Sequence, residues 1–193
     1  LLATHQVDNT PAHVSSRSSE ALFLVYSAVI PWSTQEDDGR HKRALKMPIY
    51  PATLQHIPCL SPAAALKIGG DVLAALQHMH KCGFGHCDVK APNIFINYSG
   101  DALLGDYGAV RELGADADEK TLSHVPVDPP THVDVDHATP ALDHLLLAVT
   151  LLERMQLLQL QGPHQLRMAS VQLAVARVTD TELRAFFKQL LQQ

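Results

Sequence analysis

The sequence predicts an α+β fold, mainly helical, with its strands gathered in the amino-terminal half. Two short apolar runs, at residues 21–30 and 43–50, are bounded by proline, glycine or charge and read as strands. The stretch IFINYSGDALLG places two apolar runs around a Ser-Gly-Asp turn, the pattern of a β-hairpin. The remaining periodic stretches repeat at helical spacing.

In chain order, residues 1–20 are polar, rich in Ser, Thr and His, and without period, so they read as a disordered or partial segment. Residues 21–30 (ALFLVYSAVI) read as a buried strand. PWSTQEDDGRHKR follows, and Pro31, Asp38-Gly39 and its mixed charges mark a solvated loop. The second strand runs over 43–50 and stops at Pro51. A helix is signalled from Ser61-Pro62, a capping hydroxyl followed by proline in the first turn. Leu66, Leu73, Leu76 and Met79 carry its apolar face to about Cys82, and Gly83 stops it. Gly69 and Gly70 weaken that helix by about 1 kcal/mol each relative to alanine. After the hairpin, residues 109–138 are polar and proline-bearing. ALDHLLLAVTLLERM is so uniformly apolar that its helix must be buried on most faces. The tail from Pro163 carries one or two amphipathic helices, of which TELRAFFKQLLQQ is the clearer.

Composition limits the function. Hydrophobic residues make up 46% and charged residues 18% of 193, enough apolar content to build a core. A net charge of −5 without a basic stripe argues against nucleic-acid binding. No apolar run reaches the roughly 20 residues that span a bilayer, and no secretory signal opens the sequence. Three cysteines give no disulfide framework, so a reducing, cytoplasmic or nuclear setting is expected. His78, His80, Cys82, His86 and Cys87 crowd one helix end without the paired knuckles of a structural zinc site. They read as ordinary helix-end histidines and buried thiols.

The chemistry lies in HCDVKAPN, which puts His86, Asp88, Lys90 and Asn93 in one loop, and in Asp106-Tyr107-Gly108 beyond the hairpin. Phosphoryl transfer needs a carboxylate for the nucleophile, a cation for the transferred phosphate, and an amide oxygen with a second carboxylate for the metal. A hairpin between the two loops returns Asp106 toward Asn93. The pattern resembles the catalytic loop H-R-D-x-K-x-x-N and the D-F-G magnesium loop of eukaryotic-type protein kinases. That resemblance implies a protein kinase-like fold. Residues 21–50 would be the remnant of the amino-terminal lobe and hinge, and 51–193 the helical carboxy-terminal lobe. Asp88 would be the catalytic base, Lys90 would meet the γ-phosphate of ATP, and Asn93 and Asp106 would hold Mg²⁺. His86 would pack within its loop. A lysine two residues after the catalytic aspartate is the Ser/Thr-type feature of the family. Met47 would be the gatekeeper, with Pro48 and Tyr50 offering backbone hydrogen bonds to adenine; Pro48 can accept but not donate. Asp143 would be the buried aspartate that tethers the catalytic loop, although an aspartate there equally suits a helix start.

The departures are specific. Cys87 stands where an arginine would receive an activation-loop phosphate, so activation by that route is not implied, and Thr121 and Ser123 read as plain loop hydroxyls. Tyr107 replaces phenylalanine and brings a hydroxyl that needs a partner. Pro129-Pro130-Thr131 occupies the place of Ala-Pro-Glu. No glycine-rich loop or strand lysine precedes residue 21, so the chain resembles a truncated kinase domain. Two readings follow: a Ser/Thr kinase acting on a protein substrate, or a catalytically inactive kinase-like module binding a protein partner.

Overall fold

The computed structural model describes residues 28–32, 42–117 and 122–192. The polar leader, the start of the first predicted strand, most of the charged loop and Thr121 lie outside the described residues.

β1 (Ala28–Trp32) and β2 (Lys42–Lys46) form an antiparallel ribbon, Ala28 facing Lys46 and Trp32 facing Lys42. Both strand ends differ from expectation. β1 continues through Pro31, because in a two-stranded ribbon each strand has an open edge where a missing N–H costs no ladder bond. β2 stops at Lys46 instead of residue 50. Pro48 supplies no donor there, and Pro51 restricts the backbone of Tyr50.

β3 (Ala52–Thr53) is too short, and too close to Pro51, to announce itself in sequence. It pairs with β5 (Ile94–Ile96), which pairs in turn with β6 (Ala102–Leu104), giving a three-stranded antiparallel sheet. The β5–β6 hairpin is the predicted one. Its turn is organised by Asn97, whose Oδ1 accepts from the N–H groups of Ser99 (2.9 Å) and Asp101 (2.8 Å), with Gly100 at φ +77°.

α1 (Pro62–Lys81) begins as expected, Ser61 Oγ accepting from Ala64 N–H at 3.3 Å, and Gly83 follows its end at φ +88°. β4 (Phe84–Gly85) then pairs with β7 (Arg111–Glu112), closing the chain around the candidate site. α2 (Pro140–Arg154) is capped by Thr139, and its residues 141–152 are all buried, which accounts for its uniform apolarity. α3 (Met168–Arg177) and α4 (Thr181–Leu190) follow, α4 capped by Asp180, whose Oδ1 accepts from Leu183 N–H at 2.8 Å.

α1, α2 and α4 pack on one another, and β6 lies on α1. Leu142, Leu145, Leu146, Leu147, Leu151 and Leu152 are essentially fully buried, as is Phe187 from α4. Each such side chain stabilises the fold by roughly 1.5–3 kcal/mol through apolar burial. α2 is therefore the most fixed element available, and the loop before β5 is hung from it. Among the described residues no helix is long and apolar enough to cross a membrane.

Candidate active site

The loop from His86 to Asn93 connects β4 to β5, and Asp143 of α2 fastens its first half. The Asp143 carboxylate accepts from His86 N–H (2.8 Å) and Cys87 N–H (2.7 Å), and His80 Nε2 lies 2.8 Å from it. The side chain is fully buried, so these contacts are what make an interior carboxylate tolerable. Asp143 thus occupies the first turn of α2 and also serves as the loop's tether. The tether carries a strain: Cys87 sits at φ +64°, a conformation that costs a non-glycine residue about 1–2 kcal/mol. Further along, the single hydroxyl hydrogen of Thr150 is shared between Leu146 O at 2.8 Å and Val89 O at 3.1 Å, so α2 also touches the loop at Val89, a contact that no sequence signal marked.

His86 is buried inside the loop. Its Nδ1 accepts from Asp88 N–H at 3.3 Å, which leaves Nε2–H to donate to Gly105 O at 3.2 Å. Burial lowers its pKa despite the nearby carboxylate of Asp143, so it acts as a neutral spacer between the two loops. The Tyr107 hydroxyl finds its partner in Leu104 O at 2.8 Å, and the ring meets His86 edge-on.

Asp88, Lys90 and Asn93 form one cluster. Lys90 Nζ lies 2.8 Å from Asp88 Oδ2. Asn93 Nδ2 donates to both Asp88 Oδ2 and Asp88 O at 2.9 Å, which leaves its Oδ1 as the side chain's acceptor. Gly105 N–H donates to Asn93 O at 2.9 Å, so the hairpin returns Asp106 beside Asn93 as expected. Asp106 is exposed at φ +62°.

This donor set fits Mg²⁺, a hard cation commonly held by one or two protein oxygens together with substrate phosphates. No group of three His, Cys, Asp or Glu side chains among the described residues forms a closed metal cage. The predicted adenine contacts stand apart from this cluster in sequence. Met47 and Tyr50 are half-buried and Pro48 is exposed, in the extended stretch leading to β3; the Tyr50 ring packs 5.6 Å from that of Phe95 in β5.

Sequence reasoning missed His124. It is buried on the 3₁₀ turn Leu122–His124, where burial pushes its pKa down to about 4, with Asp88 raising it and Lys90 lowering it further. One histidine among twelve in a polar stretch offers no signal.

A loop that presents a carboxylate, an ammonium and an amide oxygen, opposed by a second carboxylate from a hairpin, defines a protein of the kinase class. Residues 42–190 match the protein kinase domain, and the chain belongs to that family. It is 33% identical over 106 residues to the serine/threonine-protein kinase PknL of Mycobacterium tuberculosis, covering 53% of this chain and 25% of that protein. It is 54% identical over 44 residues to the serine/threonine-protein kinase US3 homolog of Cercopithecine herpesvirus 9, covering 23% and 13%. The chain spans a quarter or less of the length of these curated relatives. Among solved structures it is similar to the Cydia pomonella granulovirus kinase PK-1, with a TM-score of 0.63 at 16% identity over 88% of this chain and 68% of that one. Vaccinia related kinase 3 gives a TM-score of 0.63 at 15% identity over 89% and 61%. These likenesses establish the fold.

Proposed function

We propose that this chain supplies the catalytic half of a kinase that transfers the γ-phosphoryl group of ATP to a serine or threonine hydroxyl of a protein substrate. The carrying observation is the Asp88–Lys90–Asn93 cluster, held by hydrogen bonds on a loop tethered to α2. Asp88 accepts the proton of the acceptor hydroxyl as its oxygen forms a bond to the γ-phosphorus. The bond from that phosphorus to the bridging oxygen breaks, and the leaving oxygen departs with ADP. Lys90 places positive charge where the transferred group passes, and Asn93 keeps the Asp88 carboxylate aimed by donating to it. Asn93 Oδ1 and Asp106 would hold Mg²⁺, which when bound neutralises phosphate charge. Met47, Pro48 and Tyr50 would border adenine. The Ser/Thr assignment is supported by Lys90 and by the relatives, which are serine/threonine-protein kinases.

The test is phosphate transfer from labelled ATP to a mixed serine/threonine peptide pool, by wild type and by Asp88→Asn, with nucleotide affinity measured in parallel. Loss of a general base costs about 10²–10⁴-fold in rate, so the variant should transfer at least about 10²-fold more slowly while binding nucleotide as before. Equal transfer by both removes Asp88 from its role. Nucleotide or partner binding without transfer by either favours the inactive kinase-like module.

A further inference from the structure

α3 and α4 pack against each other and, with the loop that precedes α2, surround a groove of about 550 Å³ that the proposed transfer does not use. That volume falls within the ~300–1,000 Å³ of ordinary ligand pockets. Met168 and Val175 of α3 and Leu191, just past α4, give it an apolar floor. Arg184 and Lys188 line it from α4, four residues apart and so on one face of that helix, and His132 lines it from the loop.

The walls are held by hydrogen bonds. Asp128 Oδ1 accepts from Met168 N–H at 2.7 Å, and Val127 N–H donates to Leu166 O at 2.9 Å, so the loop that carries His132 is bound to the start of α3. Arg184 Nε donates to Val178 O at 2.7 Å, which orients the guanidinium and leaves its terminal nitrogens as donors.

Charge sets this groove apart from the rest of the molecule. The chain has 20 acidic residues to 15 basic and a net charge of −5. Yet none of the described residues lining the groove is an aspartate or glutamate, and neither Arg184 nor Lys188 is ion-paired with another described residue. Two cations one helical turn apart over an apolar floor suit carboxylates that flank an apolar side chain. A small anion such as phosphate would gain nothing from the floor, and the Met168 N–H at the start of α3 is already taken by Asp128.

We propose that this groove docks an acidic peptide segment of a partner protein, its carboxylates on Arg184 and Lys188 and an apolar side chain against Met168, Val175 and Leu191. Docking needs neither nucleotide nor transfer, so it goes beyond the phosphotransfer reading and stands or falls apart from it.

The experiment follows fluorescence anisotropy of short labelled peptides, acidic around a central leucine, titrated with the full chain in the absence of nucleotide. Wild type should bind them, and a pool with lysine in place of the acidic residues should not bind. Lys188→Glu should weaken binding about tenfold, through loss of a charge-assisted contact. Lys188 is exposed, so its replacement leaves the fold intact. Lys81→Glu makes the same change of net charge on an exposed site of α1 outside the groove, and should stay within about twofold of wild type. Serine in place of the central leucine should weaken binding at least about threefold, because the apolar floor is left unfilled. A wild type that binds neither pool overturns the proposal. Equal weakening by Lys188→Glu and Lys81→Glu overturns it too, since the attraction would then belong to the whole surface. Displacement by inorganic phosphate at constant ionic strength, as readily as by unlabelled peptide, would make this a small-anion site and sink the peptide assignment.

Discussion

Asp143 Oδ1 accepts a hydrogen bond from Cys87 N–H at 2.7 Å, across 56 residues of chain, and Cys87 is held there at φ +64°. The most buried helix of the protein thus stabilises a backbone conformation that the residue itself disfavours. The position of Asp88, one residue on, is set by that contact and by the His86 hydrogen bond beside it.

Asp143→Asn tests the tether. One amide oxygen can still accept, but the amide NH₂ must face an N–H group or His80, leaving buried donors opposed. Breaking a buried, hydrogen-bonded charge costs about 3–5 kcal/mol. Thermal or urea unfolding should show a loss on that order, and any phosphotransfer activity should fall with it. A midpoint unchanged within error would mean that α2 does not hold the loop.

Acid should unfold the protein through its buried histidines. His86, His124 and His144 all have pKa values lowered by burial, His124 to about 4. Neither ring nitrogen of His144 has a partner among the described residues. A histidine with a lowered folded pKa leaves stability intact above its unfolded value of 6.5. As pH falls below that value the unfolded chain takes up protons the fold refuses, and stability drops. For His124 the loss down to about pH 4 is on the order of 3 kcal/mol. Midpoints measured from pH 7.5 to 4.5 should therefore fall steadily, and His124→Gln should flatten part of the slope.

How much of this was readable follows from where each signal resides. Asp88, Lys90, Asn93 and Asp106 are legible because their types and spacing state a chemistry, and the IFINYSGDALLG pattern fixes the hairpin that brings them near one another. Ser61 and Gly83 mark α1 because caps and stops are local. β3 is not legible, since a two-residue strand exists only through its partner β5. Thr150 and His124 are not legible either, because Thr150 is distinguished by a contact with a residue far along the chain and His124 by its burial. The far ends of β1 and β2 are not legible from proline alone, since β1 runs through Pro31 whereas β2 stops short of Pro48.

Gly69 and Gly70 are adjacent in α1 and should respond oppositely to alanine. A Cβ on Gly69 would sit 2.7 Å from the Phe186 ring and 3.0 Å from a Leu151 methyl, so at Gly69 α1 meets α4 and α2 with no room for a side chain. Overpacking costs about 1–3 kcal/mol and outweighs the roughly 1 kcal/mol of helix propensity gained. Nothing lies within 4 Å of a Cβ on Gly70, which is exposed. Gly70→Ala should stabilise by about 0.5–1 kcal/mol, and Gly69→Ala should destabilise by about 1 kcal/mol. Paired denaturation curves decide it, and a stabilised Gly69→Ala would show that Phe186 simply moves aside.

Asn93→Asp isolates the hydrogen bonds that aim Asp88. The native amide donates twice to Asp88, at 2.9 Å each. The carboxylate removes both donors and sets two negative charges in a buried pair, where one must hold a proton or repel. The pKa of that pair is raised above the unfolded value, so the variant's penalty is greatest above the raised pKa and shrinks as pH falls through it. Relative to wild type, a loss of about 2–3 kcal/mol at pH 7.5 should narrow at pH 5. Reading the difference between variant and wild type at each pH removes the histidine effect, which both share. A constant difference across that range would mean that Asn93 does not restrain Asp88 through its amide.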